Sequence, residues 1–172
     1  ARGVPERIVR AAIGAGLLRE GPNGSMWAAH TDAGGAVTGW EERGPDWRGF
    51  ATGGAKVLFR FGRPEALRLC VTEAAIDAVS LATLEDLRPD TLYLSTGGGW
   101  APATDAAIRT LVGRPRAELV AATDNNKQGD VYAGRLLGLA EEAGCGAERL
   151  RPIGDDWNAD LKMRTEGGEK QA

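Results

Sequence analysis

The sequence of 172 residues is poor in the side chains that build soft-metal centres and stapled scaffolds, with two cysteines and one histidine. Cys70 and Cys145 lie far apart with no second pair beside them, which excludes a zinc site of the usual spacing. Two lone thiols suit a reducing compartment, so a cytoplasmic protein is expected. No apolar run approaches the roughly 18 residues that a membrane-spanning helix needs, and no signal peptide is visible. A membrane is therefore not an expected partner. Excess positive charge is missing too. The formal charge of −3 excludes the general basicity of a DNA-coating protein and leaves any nucleic-acid contact to local patches. Aromatic residues make up 6% of the chain, yet Trp27, Trp40 and Trp47 fall close together. They suit a small local core or stacking on single-stranded bases equally well. The opening Ala-Arg-Gly carries no initiator methionine and reads as a piece of a longer protein.

Glycine is abundant, at 25 residues, but glycine plus proline stays below the level of roughly 25–30% that marks low complexity. A folded chain with one main core is expected. Residues 5–18 place Val9, Ala12, Ile13 and Leu17 at helical spacing, with Pro5 in the first turn and Gly21-Pro22 as a stop. Segments 25–30 and 37–41 read as a hairpin, residues 43–54 as turns interrupted by Trp47 and Phe50, and 56–61 as a further strand. From Glu65 the pattern changes. Strands 67–72, 91–95, 117–123 and 147–150 alternate with helices 74–86, 102–112 and 128–143 through short connections, which predicts βαβ units and a doubly wound, mostly parallel sheet. The expected organisation is a small α+β N-terminal domain over residues 1–64, an α/β domain with helices on both sheet faces over 65–163, and a polar tail over 164–172.

Two of these strands end on acids. The apolar run 118–123 stops at Asp124, and Leu67-Arg-Leu-Cys-Val-Thr runs into Glu73, with Asp77 four residues further on. In an open α/β sheet such positions point at the ligand crevice, and converging carboxylates gather oxygen ligands for a divalent cation. Taken singly, each also reads as a helix-start acid. A third acidic cluster at Asp155, Asp156 and Asp160 strengthens the first reading. The run Thr96-Gly97-Gly98-Gly99 after a strand suits a phosphate-binding loop as well as a plain flexible turn, and it matches neither the P-loop nor the dinucleotide spacing. Lys56, Arg60 and Arg63 are candidate phosphate contacts, with a solvated charged face as the alternative.

Val71-Thr-Glu-Ala-Ala-Ile-Asp-Ala-Val-Ser80, Ser95-Thr-Gly-Gly98, Asp124-Asn-Asn126 with Gly129, and Asp156-Trp-Asn-Ala-Asp-Leu161 together resemble a Toprim domain. The likeness is to the primase-like kind that follows a small domain in plasmid-mobilisation, relaxase-linked and replication proteins. That resemblance implies Glu73 as general acid/base and an Asp-x-Asp pair holding Mg²⁺, or Mn²⁺ in its place. Asp124 matches the first acid of the pair, and Asn126 stands where the second belongs. Asp156 or Asp130 could supply the missing charge, with Asp77 as a further supporting acid. The implied partners are DNA, chiefly single-stranded, primer or nucleotide phosphates, and relaxase, helicase or zinc domains of a longer chain. The implied activity is Mg²⁺-dependent nucleotidyl transfer or phosphodiester cleavage. The alternatives are a non-catalytic DNA-positioning module whose metal site Asn126 has weakened, and a phosphate-binding α/β domain outside nucleic-acid work.

Overall fold

In the computed structural model, which describes residues 2–169, helix α1 (Glu6–Gly14) precedes strands β1 (Leu18–Glu20), β2 (Met26–Thr31), β3 (Val37–Arg43), β4 (Arg48–Phe50) and β5 (Leu58–Gly62). There follow β6 (Arg68–Thr72), α2 (Ala75–Leu84), β7 (Thr91–Ser95), α3 (Pro102–Val112), β8 (Glu118–Ala121), α4 (Lys127–Ala143), β9 (Gly146–Arg149) and α5 (Trp157–Glu169). All the strands join one sheet in the order β4-β3-β2-β5-β7-β6-β8-β9, with β1 beside β2. The quartet β7-β6-β8-β9 is parallel, whereas β5 pairs antiparallel with β7 and carries the sheet without a break into the N-terminal strands.

The inner parallel strands β6, β7 and β8 are buried along most of their length because both of their faces are covered, whereas β9 is an exposed edge. Along β6 and β7 the side chains alternate between two cores: Cys70 and Tyr93 join residues of α1 and α2, while Leu69, Val71, Leu92 and Leu94 join residues of α3 and α4. Chain direction explains this division. From β6 the chain steps to β7 on one side, and from β7 it returns past β6 to β8 on the other. Right-handed crossovers then put α2 on one face and α3 and α4 on the opposite face. The crevice at such a reversal opens between the ends of β6 and β8.

Two short strands, β1 and β4, are absent from the sequence reading. Residues 43–54 are not all turn: Arg48 pairs with Arg43 and Phe50 with Glu41 across an antiparallel edge. The segment 164–169, expected to be part of a polar tail, continues α5, and residues 170–172 lie outside the described residues. Among the described residues no helix is long and apolar enough to cross a membrane.

Candidate functional site

Because β6 and β8 run parallel with Val71 opposite Ala121, Glu73 and Asp124 leave neighbouring strands at the same sheet edge. The Asp124 N–H donates to Glu73 Oε1 at 3.2 Å. A cleft of about 400 Å³ opens here, lined by Glu73, Asp77, Asp124 and Asp156 and also by Arg43, Arg48 and Lys56. Asp77 projects from the first turn of α2, where it is buried and accepts the Asn158 N–H at 3.2 Å. Asp156 accepts the Ala159 N–H at 2.7 Å, capping the start of α5.

Gly129 makes the loop after β8 possible. A Cβ there would stand 2.0 Å from the Asp124 carbonyl oxygen, so only glycine lets the first turn of α4 close over Asp124. Arg149, from the end of β9, fixes the same loop. Its guanidinium donates to the carbonyls of Ala121, Thr123, Asp124 and Leu150.

The electrostatics are those of a crowded acid cluster. Burial pushes the Asp124 carboxyl up to about 7, with help from Glu73 and Asp156 and against the opposing pull of Arg48 and Arg149. Asp77 is raised well above the ordinary range by burial and then by Asp156 and Asp124. Glu73 is also raised by burial, while the Asp124 N–H, Arg149 and Arg48 draw it down. The Asp124 Oδ1 is buried without a hydrogen-bond partner. A lone buried carboxylate oxygen among other acids is costly, and it is the donor type that hard cations coordinate. Among the described residues no group of three or more His, Cys, Asp or Glu side chains is placed to hold a metal ion together. An open set still fits Mg²⁺, which is held through one or two carboxylates and keeps several waters.

Residues 70–161 match the family model described as Toprim-like. The chain belongs to the Toprim-like family. Residues 1–66 match a family described as a protein of unknown function (DUF3991). No curated protein sequence matches the chain. Among solved structures, the primase fragment of the bacteriophage T7 primase-helicase protein is 17% identical at a TM-score of 0.57, over 99% of this chain and 69% of that one. The Aquifex aeolicus primase, with its zinc-binding and RNA polymerase domains, is 15% identical at 0.62, over 99% and 52%. A chain of the complex between bacteriophage T7 lagging-strand DNA polymerase and primase domains bound to an RNA/DNA hybrid and dTTP is 18% identical at 0.61, over 99% and 87%. At such identities the likeness establishes a shared fold. This Toprim-like chain spans about half of the Aquifex chain.

Of the site residues expected from sequence, Glu73, Asp77, Asp124, Asp156, Gly97, Gly98 and Lys56 line the cleft. Asn126 does not line it. Its Oδ1 accepts the Gly129 N–H at 2.9 Å as the N-cap of α4. Asp130 also faces elsewhere, paired with Arg151 at 2.7 Å. The glycine loop corrects the phosphate-cradle expectation. The Gly97 N–H donates to Ser95 Oγ at 3.0 Å and the Gly98 N–H to the Glu73 carbonyl at 2.7 Å, leaving neither for a phosphate. Gly97 serves close packing instead, since at φ +70° a Cβ would meet the His30 ring at 2.8 Å.

The basic residues do not form one patch. Lys56 Nζ donates to the Gly97 carbonyl at 3.0 Å at the cleft, but β5 runs antiparallel to β7, so Arg63 beyond Gly62 lies at the opposite sheet edge. Arg60 is half-buried in mid-strand, with its pKa lowered by burial and by Arg114. Arg43 and Arg48, passed over in the sequence, line the cleft in their place. Glu41 and Arg149 were also missed. Only the cap had a local signal, an Asn three residues before a helical glycine.

Proposed function

We propose that this Toprim-like domain performs or assists divalent-metal-dependent phosphodiester or nucleotidyl-transfer chemistry on DNA, within a larger replication or plasmid-mobilisation protein. The supporting observation is the unpartnered Asp124 Oδ1 beside Glu73, in a cleft that gathers Asp77 and Asp156 together with Arg43, Arg48 and Lys56. Asp124, with Asp156 as a second carboxylate and waters completing the shell, would hold Mg²⁺ or Mn²⁺. When bound, the cation would offset charge developing on the reacting phosphate. Arg43, Arg48 and Lys56 supply charge-assisted donors for phosphate oxygens. Glu73 is fixed by the Asp124 N–H on one carboxylate oxygen and presents the other to a hydroxyl whose proton must move. Primase domains bound to an RNA/DNA hybrid and dTTP share the fold, which makes single-stranded DNA and nucleotides the first substrates to try.

The test is primer synthesis and strand cleavage on single-stranded DNA with Mg²⁺ or Mn²⁺, comparing the parent with Asp124→Asn and Glu73→Gln. A loss of about a hundredfold or more in both variants is expected, on the scale of removing an acid/base group. A parent that neither binds a divalent cation nor turns over DNA overturns the proposal. A second reading, a non-catalytic DNA-positioning module, is favoured by Asn126, which brings no carboxylate to the cleft. Salt-dependent DNA binding without turnover would select it.

A further inference from the structure

Trp100 and Tyr132 come from different elements, the loop after β7 and the second turn of α4, yet their rings stack with planes 20° apart and centroids separated by 6.1 Å. The pair bridges two concavities. Tyr132 lines the acid cleft, while Trp100 lines a groove between α3 and α4 with Arg109 and Arg135. Trp100 is held in place: its Nε1 donates to Asp105 Oδ1 at 3.0 Å, and the Arg135 guanidinium lies 5.5 Å from its ring centroid. Tyr132 is half-buried and lies outside both hydrophobic cores, while Ala133, Leu136, Leu139 and Ala140 of the same helix pack into one of them. Core packing therefore does not account for its ring.

Position decides what the ring can serve. Gly129 brings the first turn of α4 against Asp124, and Tyr132 lies three residues on, about 5 Å further along the helix axis. Tyr132 lines the same cleft as Arg43, Arg48 and Lys56, so a ligand whose phosphate meets those cations has this ring within the same cavity.

We infer that Tyr132, backed by Trp100, is the nucleobase platform of the cleft, stacking on the base of a nucleotide or single-stranded end whose phosphate meets Arg43, Arg48 and Lys56. This rests on the cleft being a phosphoryl-transfer site for nucleic acid. Stacking accepts any base, because each has a π-face. The platform selects base-bearing ligands over bare phosphates and leaves sequence unread.

The experiment measures binding of a short fluorescein-labelled single-stranded oligodeoxynucleotide, its abasic counterpart of equal length, and inorganic tripolyphosphate, by anisotropy and competition. In the parent, the base-bearing strand should bind at least about fivefold tighter than the abasic strand. Tyr132→Ala should erase that difference while leaving tripolyphosphate affinity unchanged, and Tyr132→Phe should restore it. Trp100→Phe gives a second readout, in which the fluorescence change seen when the parent binds the strand should shrink. Equal affinity of the parent for base-bearing and abasic strands, or equal weakening of both by Tyr132→Ala, overturns the platform and spares the cleft. Failure of the parent to bind strand and tripolyphosphate alike overturns the cleft reading as well.

Discussion

Glu41 of β3 presents both carboxylate oxygens to the backbone N–H of Ala75 at 3.0 Å, so a strand of the N-terminal sheet closes the first turn of α2. The N-cap position, Ala74, has no side-chain acceptor of its own. A carboxylate brought from another element satisfies an orphan donor and meets the positive end of the helix dipole. Ser95 Oγ donates to the same carboxylate at 3.3 Å, and the buried His30 Nε2 stands 3.6 Å away. This network lies beneath the loop that presents Glu73. Glu41→Ala should therefore destabilise the fold by about 1–3 kcal/mol, the cost of an unsatisfied buried donor, and Glu41→Gln by less. Urea denaturation measures both. Parent-like stability in Glu41→Ala would mean the contact contributes nothing.

The cleft acids predict an unusual pH profile. A carboxyl whose pKa rises on folding holds its proton more tightly in the folded state, so stability falls as pH climbs from the unfolded to the folded value and levels off above it. For Asp124 that window runs from 3.8 to about 7, and the raised values of Glu73 and Asp77 act in the same direction. With chelator present, the melting temperature should drop between about pH 4 and pH 7. In Asp124→Asn the drop should be smaller, because this variant keeps the side-chain volume and removes the charge. Mg²⁺ added at about pH 8 should raise the parent's melting temperature and leave Asp124→Asn unmoved. A parent and variant with superimposable profiles would rule out Asp124 as a source of the slope.

Asn126 separates charge from position. As an N-cap it holds the Gly129 N–H, and Asp caps helices about as well as Asn. Asn126→Asp should keep parent stability, and its carboxylate should remain at the cap. Mg²⁺ affinity should then change by less than about threefold, whereas Asp124→Asn should abolish binding in titration calorimetry. A tenfold gain from Asn126→Asp would show that the loop can turn this side chain into the cleft.

Much of the parallel half was legible because its signals are local. Apolar runs ending on acids mark β6 and β8, Pro102 opens α3, and Gly144 in the left-handed region closes α4. The N-terminal strands were harder to see. β4 is Arg48-Gly49-Phe50, which carries no alternation and becomes a strand only by pairing with β3. Glu41 and Arg43 look like solvent-facing strand residues until α2 and the cleft are laid over them. The acids of the site were visible because each follows its own strand. Their basic counterparts were not, since the charges come from a hairpin edge whose register is set by tertiary contact. Asn126 stands at the motif's metal position, while the hydrogen bond that caps α4 depends on a tertiary turn at Gly129.

Arg149 gives the last prediction, since its hydrogen bond to Asp124 goes to the backbone carbonyl while the carboxylate feels only its charge. β8 ends at Ala121, and the carbonyls of Ala121, Thr123 and Asp124 turn toward β9, where one guanidinium donates to all three and to the Leu150 carbonyl as well. A planar fork of five donors can do this, and a lysine ammonium, with three donors on a flexible stem, cannot span the same set. Arg149→Lys should keep the positive charge near Glu73 and Asp124 yet release part of the loop. Arg149→Ala should release all of it. Stability should fall by about 1–3 kcal/mol in the alanine variant and by less in the lysine variant. Metal binding discriminates between the two roles of this residue. If Arg149 positions the Asp124 loop, Mg²⁺ affinity should drop in both variants, because the ligand oxygen loses its fixed place. If it acts only as a nearby cation, affinity should rise in Arg149→Ala, where a repelling charge is gone, and hold in Arg149→Lys. Titration calorimetry with Mg²⁺ on the two variants therefore settles the sign, and a rise in Arg149→Ala alone would reject the positioning role.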